Sequence, residues 1–114
     1  MIYCNFVVSV LGTEYSIIVK SDDEDDKFTT CDGYCDIMQK RIVISRDSKL
    51  LSHTLKHELV HAFLFESGLW DNSNPVNNWA DNEEMVDWFA FQSAKIEKAY
   101  NEVSTKLLVE FGVI

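Results

Sequence analysis

One stretch of this 114-residue chain organises the others: Leu55-Lys56-His57-Glu58-Leu59-Val60-His61-Ala62-Phe63-Leu64. Leu, Lys, Glu and Ala favour a helix, no Pro or Gly interrupts the chain from Asp47 to Ser67, and Gly68 follows as a suitable stop. The sequence therefore predicts a helix over about residues 47–67. On that helix His57 and His61 lie one turn apart on the same face, with Cβ atoms about 5–6 Å apart. Both imidazoles can then bind one metal ion, and imidazole suits zinc.

Glu58 lies about 100° around the predicted helix from His57, beside the open coordination position of such an ion. Zinc lowers the pKa of water at that position to about 7, so a neighbouring carboxylate can accept its proton. The arrangement is the H-E-x-x-H pattern of zinc peptidases. The competing interpretation is a surface helix whose polar face happens to carry His. A third ligand elsewhere in the chain would decide between the two.

The predicted third ligand is Glu83, at the start of a second helix expected over about residues 82–111. Asp81 and Glu84 fit a capping box, which leaves Glu83 and Asp87 stacked on one face. Two His and one Glu are a known ligand set for catalytic zinc, and a ligating His also needs a partner for its other ring nitrogen. Asp87 is predicted to be that partner. The competing interpretation is that these acids only suit the helix dipole.

The remaining elements are strands. β-Branched and aromatic residues predict a hairpin turning at Gly12-Thr13, then a second strand pair linked near Gln39-Lys40. The four predicted strands are Ile2–Leu11, Glu14–Lys20, Tyr34–Met38 and Arg41–Ser45. The acidic run Ser21–Lys27 lacks the spacing and the Gly of a calcium loop, so it is expected to be a solvated connector. The fold class is then α+β: an antiparallel or mixed sheet of about four strands followed by two helices, in one domain, residues 1–114.

Ile42, Val43 and Ile44 come just before the metal helix. If their strand lies at a sheet edge, substrate backbone can pair with it as an added strand. An ordinary structural strand is the alternative.

Further expectations concern the metal helix itself. Asp47 or Ser48 is expected to cap it. His53 lies one turn before His57 and is either a substrate contact or a partly exposed bystander. The expected buried stripe is Leu51, Leu55, Leu59, Ala62 and Phe63.

Composition limits the partners. The net charge is -9, with 19 acidic and 10 basic residues, which argues against direct nucleic-acid binding. No apolar run approaches the roughly 18–20 residues of a membrane span. An odd count of 3 cysteines and the lack of a basic N-terminal signal region predict a cytoplasmic setting.

The H-E-x-x-H motif with a downstream N-E-x-x-x-D resembles the gluzincin arrangement of thermolysin-type enzymes. That resemblance implies zinc ligands at His57, His61 and Glu83, catalysis by Glu58, and support of the first His by Asp87. The short length and element order are more similar to the minimal zinc peptidases of phages and mobile elements, the ImmA/IrrE type, whose members of known role cleave repressor proteins. The resemblance covers mainly residues 41–96. It breaks at residues 92–96, where Gln-Ser-Ala-Lys-Ile replaces a Leu-rich segment ending in Pro.

The expected function is hydrolysis of a peptide bond in a protein or peptide substrate, with zinc as cofactor. One alternative is a structural zinc module in which Cys31 and Cys35 join His57 and His61. Another is a catalytically inactive zincin-like binding protein. For the peptidase, the oxyanion needs a second donor besides zinc. The candidates are Tyr34, His53 and Trp79.

Overall fold

The structure, a computed structural model, describes residues 2–69, 80 and 82–111. A four-stranded mixed sheet is followed by helices, which confirms the α+β class. The elements are β1 (Ile2–Val10), β2 (Thr13–Lys20), β3 (Gly33–Asp36), β4 (Arg41–Ser45), α1 (Leu51–Glu66) and α2 (Glu83–Phe111). The acidic run forms two short 3-10 turns between β2 and β3, Asp22–Glu24 and Asp26–Thr29.

The strand order is β1-β2-β4-β3. β4 pairs in parallel with β2 on one side and antiparallel with β3 on the other. The backbones of Ile42, Val43 and Ile44 therefore already have neighbouring strands on both sides. The condition for their predicted role, a free strand edge, is therefore not met, and the prediction that they pair with substrate is wrong. Three consecutive apolar residues suit a central strand buried on both faces, which β4 is.

Helix α1 packs on the sheet more narrowly than expected. Ala62 is fully buried, and Leu55 and Leu59 pack against the sheet core, but Leu51 and Phe63 are exposed. The expected stripe is therefore wrong at Leu51 and Phe63, because the face of α1 that meets the sheet runs through Leu55, Leu59, Ala62 and Glu66.

The start of α1 also differs from the expectation. Leu50 is the N-cap residue and provides no side-chain cap. Asp47 instead accepts a hydrogen bond from the backbone N–H of Asp22, at 2.9 Å. The hydroxyl of Ser48 lies 3.1 Å from that of Thr54 and accepts from the N–H of Leu50 at 3.3 Å. The capping role expected of Asp47 or Ser48 is therefore wrong.

Helix α2 meets α1 through Glu83, Asp87 and Phe91 in its N-terminal part. The side chain of Asn82 accepts a hydrogen bond from the N–H of Met85 at 3.0 Å and so caps the helix, whereas Asp81 of the expected capping box lies outside the described residues. Val86 and Ala90 are buried, while Ile96 and Val103 are exposed. The 29-residue helix is about 43 Å long. No helix in the described ranges is long and apolar enough to span a membrane.

Glu66 fastens the C-terminal end of α1 to the sheet. Its carboxylate accepts hydrogen bonds from the Lys40 ammonium at 2.8 Å, the Tyr15 hydroxyl at 2.7 Å and the Thr13 hydroxyl at 3.0 Å. These donors, Lys40 first, lower the pKa of Glu66 from its ordinary value of 4.5. They favour the ionised form, so their contribution to stability is complete at neutral pH and is lost as the pH falls through the lowered pKa.

We expect Glu66→Gln to lower the urea midpoint of unfolding at pH 7, because the charged acceptor is lost. The gap between the native protein and the variant should narrow as the pH falls below 4.5, because Glu66 of the unfolded chain is protonated there while Glu66 of the native protein, with its lowered pKa, is still ionised. Urea titrations from pH 3 to 7 measure this difference in midpoint. Glu14→Gln, the same change at an exposed residue, is the control. A gap that stays constant with pH would contradict the anchor.

Gly33 brings β3 close to α1. A Cβ atom added at Gly33 would lie 2.8 Å from Cγ2 of Thr54 and 3.1 Å from Cγ2 of Ile44. Only Gly therefore lets β3 approach α1 this closely.

Gly33→Ala should destabilise the protein by about 1–3 kcal/mol through overpacking. Adding Thr54→Ser, which removes the nearest methyl group and keeps the hydroxyl, should restore part of the loss. Chemical denaturation of the two variants checks both statements. Native stability of Gly33→Ala would show that β3 does not pack on α1 in this way.

Candidate metal centre

The two predicted histidines face the start of α2. His57 and His61 lie one turn apart on α1, with ring centroids 4.9 Å apart and the rings nearly perpendicular. The first turn of α2 presents Glu83 to both. The side chains of His57 and His61 on α1 and of Glu83 on α2 therefore meet at one place.

A single oxygen of Glu83 meets both imidazoles. Its Oε1 lies 2.6 Å from Nε2 of His61 and 3.2 Å from Nε2 of His57. In a tetrahedral zinc site with bonds of about 2.0–2.1 Å, ligand atoms lie about 3.3 Å apart. The three ligand atoms are thus gathered to near coordination spacing, and the residues present fit a divalent cation. Glu83 is 72% exposed, so this convergence does not result from burial of its carboxylate.

Asp87 holds the other nitrogen of His57. Its Oδ1 lies 3.2 Å from Nδ1 of His57, and the same oxygen lies 2.9 Å from Nε2 of His53. The hydrogen bond from His53 first, and that from His57 second, lower the pKa of Asp87. An ionised Asp87 accepts from Nδ1–H of His57 and leaves the Nε2 lone pair free for a metal.

Glu58 is buried beside this centre yet lines the cleft in front of it. Its side chain is 7% exposed. Burial raises the pKa of Glu58 to about 7, the charge of Glu83 adds to the increase, and His57 opposes it. A bound cation would act in the same direction as His57, because positive charge favours the carboxylate.

The cleft in front of the centre lies between α1 and the edge strand β3. It has a volume of about 380 Å³ and is lined by Cys31, Gly33, Tyr34, Cys35, Ile37, Glu58, His61 and Glu83. β3 pairs with β4 only, so its other backbone edge has no strand beside it in the described part of the chain. The sequence analysis left open whether Arg41–Ser45 lies at a sheet edge, and it did not identify β3, a strand of 4 residues, as the strand that lines the cleft.

The cysteines line this cleft without joining the histidines. Among the described residues, neither clustered group of three potential ligands includes a cysteine. The thiol of Cys31 donates to the carbonyl oxygen of Lys27 at 3.2 Å, and burial raises the pKa of Cys35 to about 12. Since zinc binds the thiolate, the structure gives no support to the closed Cys₂His₂ alternative.

Two of the three candidate oxyanion donors are already engaged. The Tyr34 hydroxyl donates to Asp25 at 2.5 Å, and burial together with Asp25 raises the pKa of Tyr34 to about 12. His53 is bonded to Asp87. Trp79 lies outside the described residues. Sequence reasoning also missed the contact of His53 with Asp87, although the four-residue spacing to His57 was a visible signal.

No protein-family model, curated protein or solved structure matches this chain. The assignment of the centre therefore depends on its own geometry.

We expect Glu83→Gln to weaken zinc binding by more than the factor of about 10–100 typical of losing an outer-shell partner, because a charged ligand is removed. Glu84→Gln is the matched control, since it makes the same chemical change on the adjacent residue, which lines a different pocket. Competition with a chromophoric chelator measures both. Cys31→Ser with Cys35→Ser should leave zinc binding unchanged, and loss of zinc there would favour the structural module instead.

Proposed function

We propose that this chain is a zinc-dependent peptidase that hydrolyses a peptide bond in a protein or peptide substrate. The observation that carries the proposal is the meeting of both Nε2 atoms on one oxygen of Glu83, with Glu58 beside them. This combination leaves a tetrahedral cation one open position, as catalytic sites require. A structural site would have no need for a buried carboxylate at that position.

Zinc bound at this centre would polarise the scissile carbonyl and lower the pKa of the attacking water. The protein's own part falls to Glu58, which accepts the proton of that water and passes it to the leaving amine. Its buried setting suits this exchange, because burial raises the pKa of Glu58 towards that of a zinc-bound water. Asp87 keeps His57 oriented throughout.

The substrate backbone is proposed to add to the free edge of β3. An extended peptide there would lie in the cleft between β3 and α1 and run past Glu58 and His61. Main-chain hydrogen bonds to a strand edge give affinity without demanding a particular side chain. The reducing cytoplasm is the setting that the free thiols of Cys31 and Cys35 suit.

Glu58→Gln tests the chemistry apart from the metal. We expect it to bind zinc as the native protein does and to lower kcat/KM by about 10²–10⁴-fold, the usual contribution of a general base. Cleavage of a proteome-derived peptide library, read by mass spectrometry, measures activity, and metal analysis measures occupancy. Glu97→Gln, on the exposed part of α2, is the control for a lost carboxylate.

Two results would contradict the proposal. One is a Glu58→Gln variant that cleaves at the native rate. The other is a native protein that carries one zinc per chain and cleaves no peptide in the library, the behaviour expected of an inactive binding protein.

A further inference from the structure

His53 contacts a member of the metal centre although it does not belong to the group formed by His57, His61 and Glu83. Its Nε2 lies 2.9 Å from Oδ1 of Asp87. Its ring stacks on Phe91, with centroids 3.7 Å apart and planes inclined by 22°. A histidine held at its ring face and at one nitrogen has a defined orientation, which a bystander on a helix surface does not need.

The contacts form a ladder between antiparallel helices. Along α1 the steps are His53, His57 and His61, and along α2 they are Phe91, Asp87 and Glu83 in the opposite direction. Each step is four residues, so side chains on both helices repeat at one turn. His53, stacked on Phe91, forms the pair that lies furthest from Glu83.

His53 and His57 both contact the same atom of Asp87. Oδ1 of Asp87 lies 2.9 Å from His53 and 3.2 Å from His57. The side chain of Asp87 is 46% exposed, so without His53 water could compete for this oxygen and the carboxylate could rotate away. The two N–H donors fix the position of this oxygen. The oxygen in turn fixes the orientation of the His57 ring through its hydrogen bond with Nδ1–H.

We infer that His53 is a positioning residue of the metal centre, acting through Asp87 on the ligand His57. This inference rests on the proposed function, since it assigns His57 to the metal. Its chemical requirement is an N–H donor at the place of Nε2 of His53. The stacked Phe91 sets the direction in which that donor points.

A second cation among His53, His57 and Asp87 is the rival explanation, because their ligand atoms also lie within 4.8 Å of one another. It would require His57 to give one nitrogen to each ion and to lose its remaining ring proton. A carboxylate that accepts two N–H bonds explains the same contacts with ordinary neutral imidazoles.

Two substitutions separate the donor from the ring. His53→Gln keeps an N–H donor at a similar reach and removes the aromatic ring, whereas His53→Phe keeps a stacking ring and removes the donor. We expect zinc affinity to fall about tenfold in His53→Phe, at the lower end of outer-partner effects, and to stay within about twofold of native in His53→Gln. His53→Ala, which also lacks the donor, should behave like His53→Phe and serves if the latter folds poorly.

A double-mutant cycle tests the route through Asp87. In an Asp87→Ala background, His53→Phe should weaken zinc binding no further, because the carboxylate it holds is absent. The absorption spectrum of the cobalt-substituted protein should change in His53→Phe and match the native spectrum in His53→Gln. Chelator competition and metal stoichiometry need no substrate.

The outcomes are distinguishable. Native affinity and spectrum in both His53→Phe and His53→Ala, equal losses in His53→Gln and His53→Phe, or full additivity in the Asp87→Ala background would each overturn the role of His53 alone. A second tightly bound zinc that disappears in His53→Phe would overturn it by making His53 a ligand. A native protein that binds no zinc would overturn this inference and the proposed function together.

Discussion

The contact of one carboxylate oxygen with two imidazole nitrogens is the constraint on which the rest depends. Glu83 comes from a different helix than His57 and His61, so both helices must be placed before the three atoms can meet. The sheet places α1 through Leu55, Leu59 and Ala62, and Glu66 ties down its end. Helix α2 buries Val86 and Ala90.

The site is built in layers of decreasing burial. Glu58 is almost covered, the histidines are partly covered, and Glu83 stands largely in solvent. The carboxylate proposed to act on substrate, that of Glu58, thus lies where water is scarce and electrostatic effects are strong. The exposed ligand is held by direct hydrogen bonds, and Asp87 shares one oxygen between two donors instead of relying on a dry environment.

Much of this arrangement followed from periodicity. Four-residue spacing on a helix fixes relative direction, which is why His57, His61, Glu83 and Asp87 could be placed from sequence. Strand order obeys no such local rule. β4 crosses to lie between β2 and β3, and nothing in Ile42-Val43-Ile44 distinguishes a central strand from an edge strand except its unbroken apolar character. The predicted cap of α1 was wrong for a similar reason. The carboxylate of Asp47 accepts a hydrogen bond from the backbone N–H of Asp22, which is distant in sequence.

The gathering of potential metal ligands from both α1 and α2 has a thermodynamic consequence. A cation bound by residues of both helices would act as a cross-link, and its binding free energy would be shared with the closure of the helix pair. At a free concentration 100 times its dissociation constant, a ligand specific for the native state adds about 2.7 kcal/mol to stability. Occupancy and the docking of α2 would then rise and fall together, so that metal supply sets how much of the protein is correctly assembled.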